Sequence, residues 1–154
     1  MVELSEIIQK FYGRFKGSLD DKGRAVIPAK FREIIELREL KTLILRLIEK
    51  PNALIIRAYP TSYFREKILP MASNFDEESE IGIFKMQSIL AACHQVKLDK
   101  QGRINIPTEF LEKTRIDKDV QLVGMGDFFD MWNSASYDEF VAAGASGMLQ
   151  SESA

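Results

Sequence analysis

The sequence predicts an α+β chain, mainly β, in which one structural plan is used twice. Three observations predict it. A fifteen-residue segment recurs further along the chain without a gap. Short runs rich in Ile, Leu and Val, such as Thr42–Ile48, have strand length and are bounded by turn residues. Stripes of apolar residues at helical spacing follow the proline of each repeated segment.

The repeat comes first because it organises everything else. Residues 19–33, LDDKGRAVIPAKFRE, align with residues 98–112, LDKQGRINIPTEFLE, and eight of the fifteen positions are identical. Leu, Asp, Gly, Arg, Ile, Pro, Phe and Glu return in place. Beyond the segment the match is looser: Ile55-Ile56-Arg57-Ala58-Tyr59-Pro60 corresponds to Phe128-Phe129-Asp130-Met131-Trp132-Asn133, with Tyr63 and Tyr137 following.

Each half then reads as the same series of elements. Phe15–Leu19 is a strand, Asp20–Gly23 a tight turn, and Arg24–Ile27 the returning strand. In the turn, Asp20 can accept backbone N–H bonds and Gly23 can take positive φ; Asp99 and Gly102 do the same in the second copy. Pro28 suits the first position of a helix, where its missing N–H costs nothing, and Phe31, Ile34 and Ile35 give that helix an apolar face. Strands Thr42–Ile48 and Ala53–Tyr59 follow around Lys50-Pro51-Asn52. The second copy repeats the series with Gln95–Leu98, Arg103–Ile106, a helix from Pro107, then Val120–Val123 and Phe128–Trp132. Phe128, Phe129 and Trp132 are expected in the core.

Helices are expected after each series. Thr61 and Ser62 are cap candidates ahead of Phe64 and Ile68. Ser136-x-x-Glu139 has the form of a capping box. Between the halves, Asp76-Glu77-Glu78 places acid in the first turn of a linking helix, with Ile83, Met86, Leu90 and Cys93 on a stripe expected to be core. The expected organisation is an N-terminal extension 1–10 with a short helix, a first repeat 11–75, a linking helix 76–93, a second repeat 94–141 and a disordered Ser/Ala/Gly tail 142–154.

Composition excludes several classes. No apolar run approaches the roughly 20 residues that span a bilayer, and the N-terminus lacks the pattern of a signal peptide, so the expected location is the cytoplasm. One cysteine, Cys93, and one histidine, His94, form neither an internal disulfide nor a conventional zinc site. Their adjacency suggests a nucleophile and base, but chain neighbours seldom point at each other and no third orienting group is present. Asp20-Asp21 could mimic a catalytic dyad, yet the turn accounts for it. No phosphate-binding loop or dinucleotide fingerprint occurs. The expectation is a non-enzyme without cofactor or metal.

The net charge of −2 argues against nucleic acid, but its distribution does not. Between Lys10 and Arg32 there are seven cations against two acids, and a phosphate backbone responds to such a local band. Arg24 and Arg103 each follow a turn glycine directly. A guanidinium there can reach the O6/N7 edge of guanine or a phosphate, or it can pair with its own aspartate and hold the turn. Arg14, Lys16, Lys22 and Lys30 are candidate phosphate contacts around the first hairpin, and Lys100 around the second. Asp20, Gly23, Asp99 and Gly102 are read as turn-forming residues.

These residues resemble a known family. Phe11-x-Gly13 followed by Leu19-Asp20-x-Lys22-Gly23-Arg24-x-x-Ile27-Pro28-x-x-Phe31-Arg32 resembles the opening of MraZ proteins. Ala92, then Leu98-Asp99-x-Gln101-Gly102-Arg103-Ile104-x-Ile106-Pro107, Val123-Gly124 and Met131-Trp132 resemble their second half. The resemblance spans residues 11–141. Asp130 stands where family members often carry Glu, and the segment before Phe11 is longer than usual. The resemblance implies two tandem AbrB-like swapped-hairpin repeats forming a pseudo-dimeric β-barrel with peripheral helices. It implies a transcriptional regulator, usually a repressor, that binds G-containing direct repeats in double-stranded DNA upstream of the division and cell-wall gene cluster. It also implies a ring-shaped homo-oligomer associated with the nucleoid, with Arg24 and Arg103 as its DNA-contacting arginines. The rival reading is a ring-forming protein-interaction module that does not bind DNA.

Overall fold

Covered and exposed side chains alternate along Arg14–Ser18, Arg24–Val26 and Arg103–Asn105, whereas Ala53–Pro60 and Phe129–Asn133 are mainly apolar runs buried along most of their length; a computed structural model describes residues 10–37 and 41–148. The elements run β1 (Arg14–Ser18), β2 (Arg24–Val26), α1 (Ala29–Leu37), β3 (Thr42–Lys50), β4 (Ala53–Pro60), α2 (Thr61–Tyr63), a π-helical turn (Phe64–Ile68) and α3 (Leu69–Ser73). They continue with α4 (Glu80–Leu90), β5 (Cys93–Lys97), β6 (Arg103–Asn105), α5 (Thr108–Thr114), β7 (Asp119–Gly124), β8 (Phe129–Asn133), α6 (Ser134–Ala143) and a second π-helical turn (Gly144–Met148). The chain is α+β.

The two halves interleave. Six strands form one antiparallel sheet in the order β1-β7-β8-β4-β3-β5, while β2 and β6 form a separate two-stranded ribbon. The first strand of each half therefore leaves its own half: β1 pairs with β7, and β5 pairs with β3. Exchanging the halves reverses the strand order into itself, so the fold carries the internal symmetry that the repeat announces. The sheet is open, because its edges β1 and β5 are not paired with each other.

Both halves supply one core. Phe11, Phe31 and Phe129 stack around a common point, with ring centroids 5.0–5.2 Å apart, a spacing favourable for tilted and edge-on ring pairs. Ala25, Ile27, Ile104 and Ile106 bring the ribbon's inner face into this cluster. Burial of Trp132 and Phe129 agrees with the sequence; Phe128 is only half-buried, against Tyr59 and Tyr63 in a second cluster. Directly opposite each other on β4 and β8, Arg57 and Asp130 make a two-pronged ion pair of 2.8 and 3.2 Å, and Asp130 is almost fully buried. Phe128 covers the guanidinium at 4.3 Å. Desolvation alone would lower the pKa of Arg57, but the hydrogen bond and charge of Asp130, together with Tyr59, outweigh it and raise the pKa.

Several local expectations are corrected. Pro28 and Pro107 precede their helices instead of opening them: each carbonyl accepts the first helical bonds, from Phe31 and Arg32 in one case and Phe110 and Leu111 in the other. Thr61 and Ser62 do not cap a helix; Pro60 holds that position and the Thr61 hydroxyl bonds Thr42 instead. Asn133, not Ser136, caps α6, its side chain accepting from the Ser136 N–H. The linking helix begins at Glu80 behind a Ser79 cap, and Asp76-Glu77-Glu78 forms the turn before it.

The stripe on α4 is not core. Ile83 and Leu90 are exposed, as are Ile81 and Phe84; Gly82 and Ile89 are the buried positions of that helix. Helical periodicity shows that apolar residues share a face, not that anything covers it. At the C-terminus, residues 142–148 continue α6 and its π-helical turn where small polar composition predicts disorder. Residues 149–154 lie outside the described residues, as does the expected N-terminal helix over 1–10 apart from Lys10.

Candidate nucleic-acid interface

Each repeated segment folds into the same turn, bond for bond. The Asp20 N–H donates to the Arg24 carbonyl at 3.0 Å, and the Gly23 N–H to the Asp20 carbonyl at 3.1 Å. Asp20 Oδ1 accepts from the backbone N–H groups of Lys22 and Arg24 at 2.9 and 3.0 Å. Asp99 makes the matching set with Gln101, Arg103 and Gly102. Gly23 and Gly102 have φ of 76° and 74°, the left-handed region that a Cβ disfavours. The backbone N–H of Arg24, ahead of its guanidinium, holds the Asp20 carboxyl below the usual range against partial desolvation; Arg103 does the same for Asp99.

Of the two alternatives for the arginines, the pairing with the turn aspartate is the one present. Arg24 Nε donates to Asp20 Oδ2 at 2.7 Å, and Arg103 Nε to Asp99 Oδ2 at 2.8 Å. These bonds use one N–H of a five-donor fork. The terminal guanidinium nitrogens make no hydrogen bond among the described residues, and the two side chains are 30% and 24% exposed. The aspartate thus holds each arginine at Nε, and the terminal nitrogens have no partner among the described residues.

The ribbon puts the two arginines on one face. Across β2 and β6, Arg24 lies opposite Asn105, Ala25 opposite Ile104, and Val26 opposite Arg103. Ala25 and Ile104 are buried, so strand alternation puts Arg24, Val26, Arg103 and Asn105 on the outward face. Arg24 and Arg103 are diagonal neighbours there, a relation that sets Cα atoms roughly 7–8 Å apart. Two further bonds lock the turns to each other's strand: the Ile27 N–H donates to the Gly102 carbonyl at 2.9 Å, and the Ile106 N–H to the Gly23 carbonyl at 3.0 Å.

The other predicted cations fall into two groups. Lys22 and Lys100 are exposed in the turns themselves. Arg14 and Lys16 are exposed on β1, in the other sheet, and Lys30 is exposed in the first turn of α1; none of these three stands on the ribbon. Sequence reasoning missed Val26 and Asn105 as members of the outward face. Period-two alternation could have placed each outward, but only the pairing of β2 with β6 sets them beside the arginines. It also missed Arg32, whose side chain reaches across from α1 to lie against Gly102 in the second turn.

Cys93 and His94 do not form a reactive pair. As neighbours on β5 they alternate in direction. The Cys93 thiol donates to the Ile89 carbonyl, and burial pushes its pKa up. Among the described residues, no helix is long and apolar enough to cross a membrane.

Comparison with known proteins gives the kinship. A family model described as "MraZ protein, putative antitoxin-like" matches residues 89–153. A protein of Anaeromyxobacter dehalogenans (strain 2CP-C), named Transcriptional regulator MraZ, is 33% identical over 86% of this chain and 90% of its own length. Proteins of the same name from Treponema denticola and Mycoplasmopsis pulmonis are 32% and 35% identical, each over 84% of this chain and over 85% and 82% of their own lengths. Identity at this level along nearly the whole of both chains, over a fold with the paired Asp-x-x-Gly-Arg turns, makes this chain a member of the MraZ family.

Proposed function

We propose that the chain is a sequence-specific regulator of transcription that grips double-stranded DNA with the β2–β6 ribbon. The observation that carries this is the display of Arg24 and Arg103 on one outward face, each stem held by its own aspartate. A two-stranded ribbon fits the major groove, and a guanidinium tip matches the O6/N7 edge of guanine. Preorganising the arginine before binding lowers the entropy lost on contact. Lys22 and Lys100 beside the tips, and Arg14, Lys16 and Lys30 further out, supply phosphate contacts. The relatives' name, Transcriptional regulator MraZ, supports the same reading.

The finer content of the reading follows from family membership. The targets are G-containing direct repeats upstream of the division and cell-wall gene cluster, with repression as the usual outcome. The two repeats, 11–75 and 94–141, act as a pseudo-dimeric swapped-hairpin barrel in which the ribbon closes over the open sheet. The protein works in the cytoplasm at the nucleoid as a ring-shaped homo-oligomer. Exposed Ile81, Ile83, Phe84 and Leu90 on α4 supply apolar surface suited to contacts between copies. A ring multiplies modest single-subunit contacts, since every contact after the first is intramolecular. This resolves the objection raised by a net charge of −2.

Fluorescence anisotropy on duplex DNA from upstream of the protein's own operon tests the reading against a protein-interaction module. Binding should exceed that to scrambled duplex and fall steeply with salt as counterions are released. Equal, weak binding to both duplexes would favour the interaction module. Light scattering tests the ring, and a monomer at micromolar concentration would refute it.

A further inference from the structure

The ribbon is symmetric in backbone but not in side chains. The fold's internal symmetry exchanges Arg24 with Arg103 and Val26 with Asn105. The arginines are therefore equivalent, and the remaining two residues on the outward face are not. One is apolar and the other carries an amide. Val26 is 50% exposed and Asn105 is exposed.

Strand preference accounts for Val26 but not for Asn105. Asn is depleted in strands, and the Asn105 side chain makes no hydrogen bond among the described residues. Its Oδ1 lies beside the first turn, 3.9 Å from where a Cβ on Gly23 would stand. Val26 spends an apolar side chain on solvent while its strand neighbour Ala25 is fully buried. Both stand directly opposite an arginine: Asn105 across from Arg24, and Val26 across from Arg103. Directly opposed residues have Cβ atoms about 4.5–5.5 Å apart, while adjacent bases of one strand rise about 3.4 Å. A residue paired opposite an arginine on the ribbon therefore falls within reach of the next base or the one after it.

We propose that Asn105 reads an adenine beside the guanine taken by Arg24, and that Val26 meets a thymine methyl at the symmetry-related position, so the ribbon reads DNA in one direction. The chemistry is specific. A carboxamide presents a donor and an acceptor that match adenine N6 and N7 together, and an apolar side chain matches the C5 methyl of thymine. A ribbon with Val at both positions would read a palindrome; this one cannot. The inference rests on the DNA-binding reading above and adds the residues that give the site its polarity.

Selection of binding sites from random duplex DNA, using the full chain, tests it. The wild type should select a non-palindromic site with adenine adjoining guanine. Asn105→Val should keep the guanines and lose the adenine preference, by roughly 5- to 150-fold in relative affinity for that base. Asn105→Ile serves as a second variant should the first misfold. The exchange Val26→Asn with Asn105→Val should move the adenine to the other side of the guanines. A site unchanged by Asn105→Val, or an adenine that stays in place in the exchanged protein, overturns this inference and leaves DNA binding standing. A wild type that selects no sequence overturns both.

Discussion

The side chain of Arg32 lies across Gly102, so that a Cβ built on the glycine would stand 2.3 Å from Arg32 Cδ and 2.5 Å from Arg32 Nη1. The symmetry-related glycine, Gly23, faces Leu111 instead, at 3.3 Å from its Cδ1. A helix of one half thus guards the turn of the other, with a cation in one case and an apolar chain in the other. Both glycines have positive φ, so replacing either with alanine should cost about 1–2 kcal/mol in backbone strain. Gly102→Ala should cost more than Gly23→Ala, because Arg32 must move, and Arg32→Ala should remove the excess. Urea unfolding of the single and double variants measures this coupling. Equal costs, or strict additivity with Arg32→Ala, would contradict it.

The Arg57–Asp130 pair joins the halves at the centre of the sheet. Removing one partner strands a buried charge, so Asp130→Ala should destabilise by about 3–5 kcal/mol. The paired apolar replacement Arg57→Met with Asp130→Leu should recover most of that loss. Thermal and denaturant unfolding decide it; a loss under about 1 kcal/mol for Asp130→Ala would show that water already solvates the site.

Gly82 should resist a substitution that helix propensity favours. Alanine in a helix interior ordinarily gains about 1 kcal/mol over glycine. Here the added Cβ would stand 1.8 Å from the Asp76 carbonyl oxygen, so the turn ahead of α4 must be displaced. Gly82→Ala should lower stability and speed amide exchange in Glu80–Leu90. An unchanged or higher melting temperature would contradict the packing.

Local features were the readable part of this sequence. The Asp-x-x-Gly-Arg turns, the apolar runs of β3 and β4, and burial of Phe31, Ile34 and Ile35 follow from neighbours within a few residues. Partnerships over long separations were not readable. Nothing near Val26 or Asn105 shows that β2 pairs with β6, and that pairing alone assembles the outward face. The exposed stripe of α4 failed for a related reason: periodicity at Ile83, Met86 and Leu90 defines a face without naming its cover. Helix starts were misplaced at Pro28, Thr61 and Ser136 because several residues in each stretch have cap or first-turn chemistry, and packing chooses among them.

The turn aspartates set an acid limit. Asp20 and Asp99 have folded pKa values below their ordinary ones, so the unfolded chain binds more protons at low pH. Their contribution is present above the unfolded value of about 3.9 and is lost as pH falls through the lower folded value. Between pH 5 and 8 these two groups should leave stability unchanged. A stability profile of Asp20→Asn with Asp99→Asn should show a shallower decline below pH 4 than the wild type. A profile that parallels the wild type there would assign acid sensitivity elsewhere.

On the DNA-binding reading, two aspartate-held arginines on one ribbon face grip the duplex. The affinities of wild type, Arg24→Ala, Arg103→Ala and the double variant for one operator duplex, measured by anisotropy over a range of salt, decide this. Each single variant should stay folded with unchanged assembly, lose at least about tenfold in specific affinity, a loss of roughly 1.4 kcal/mol, and show a smaller salt slope. The double variant should bind operator no better than scrambled DNA. Wild-type affinity in a folded double variant would show that neither arginine holds the DNA.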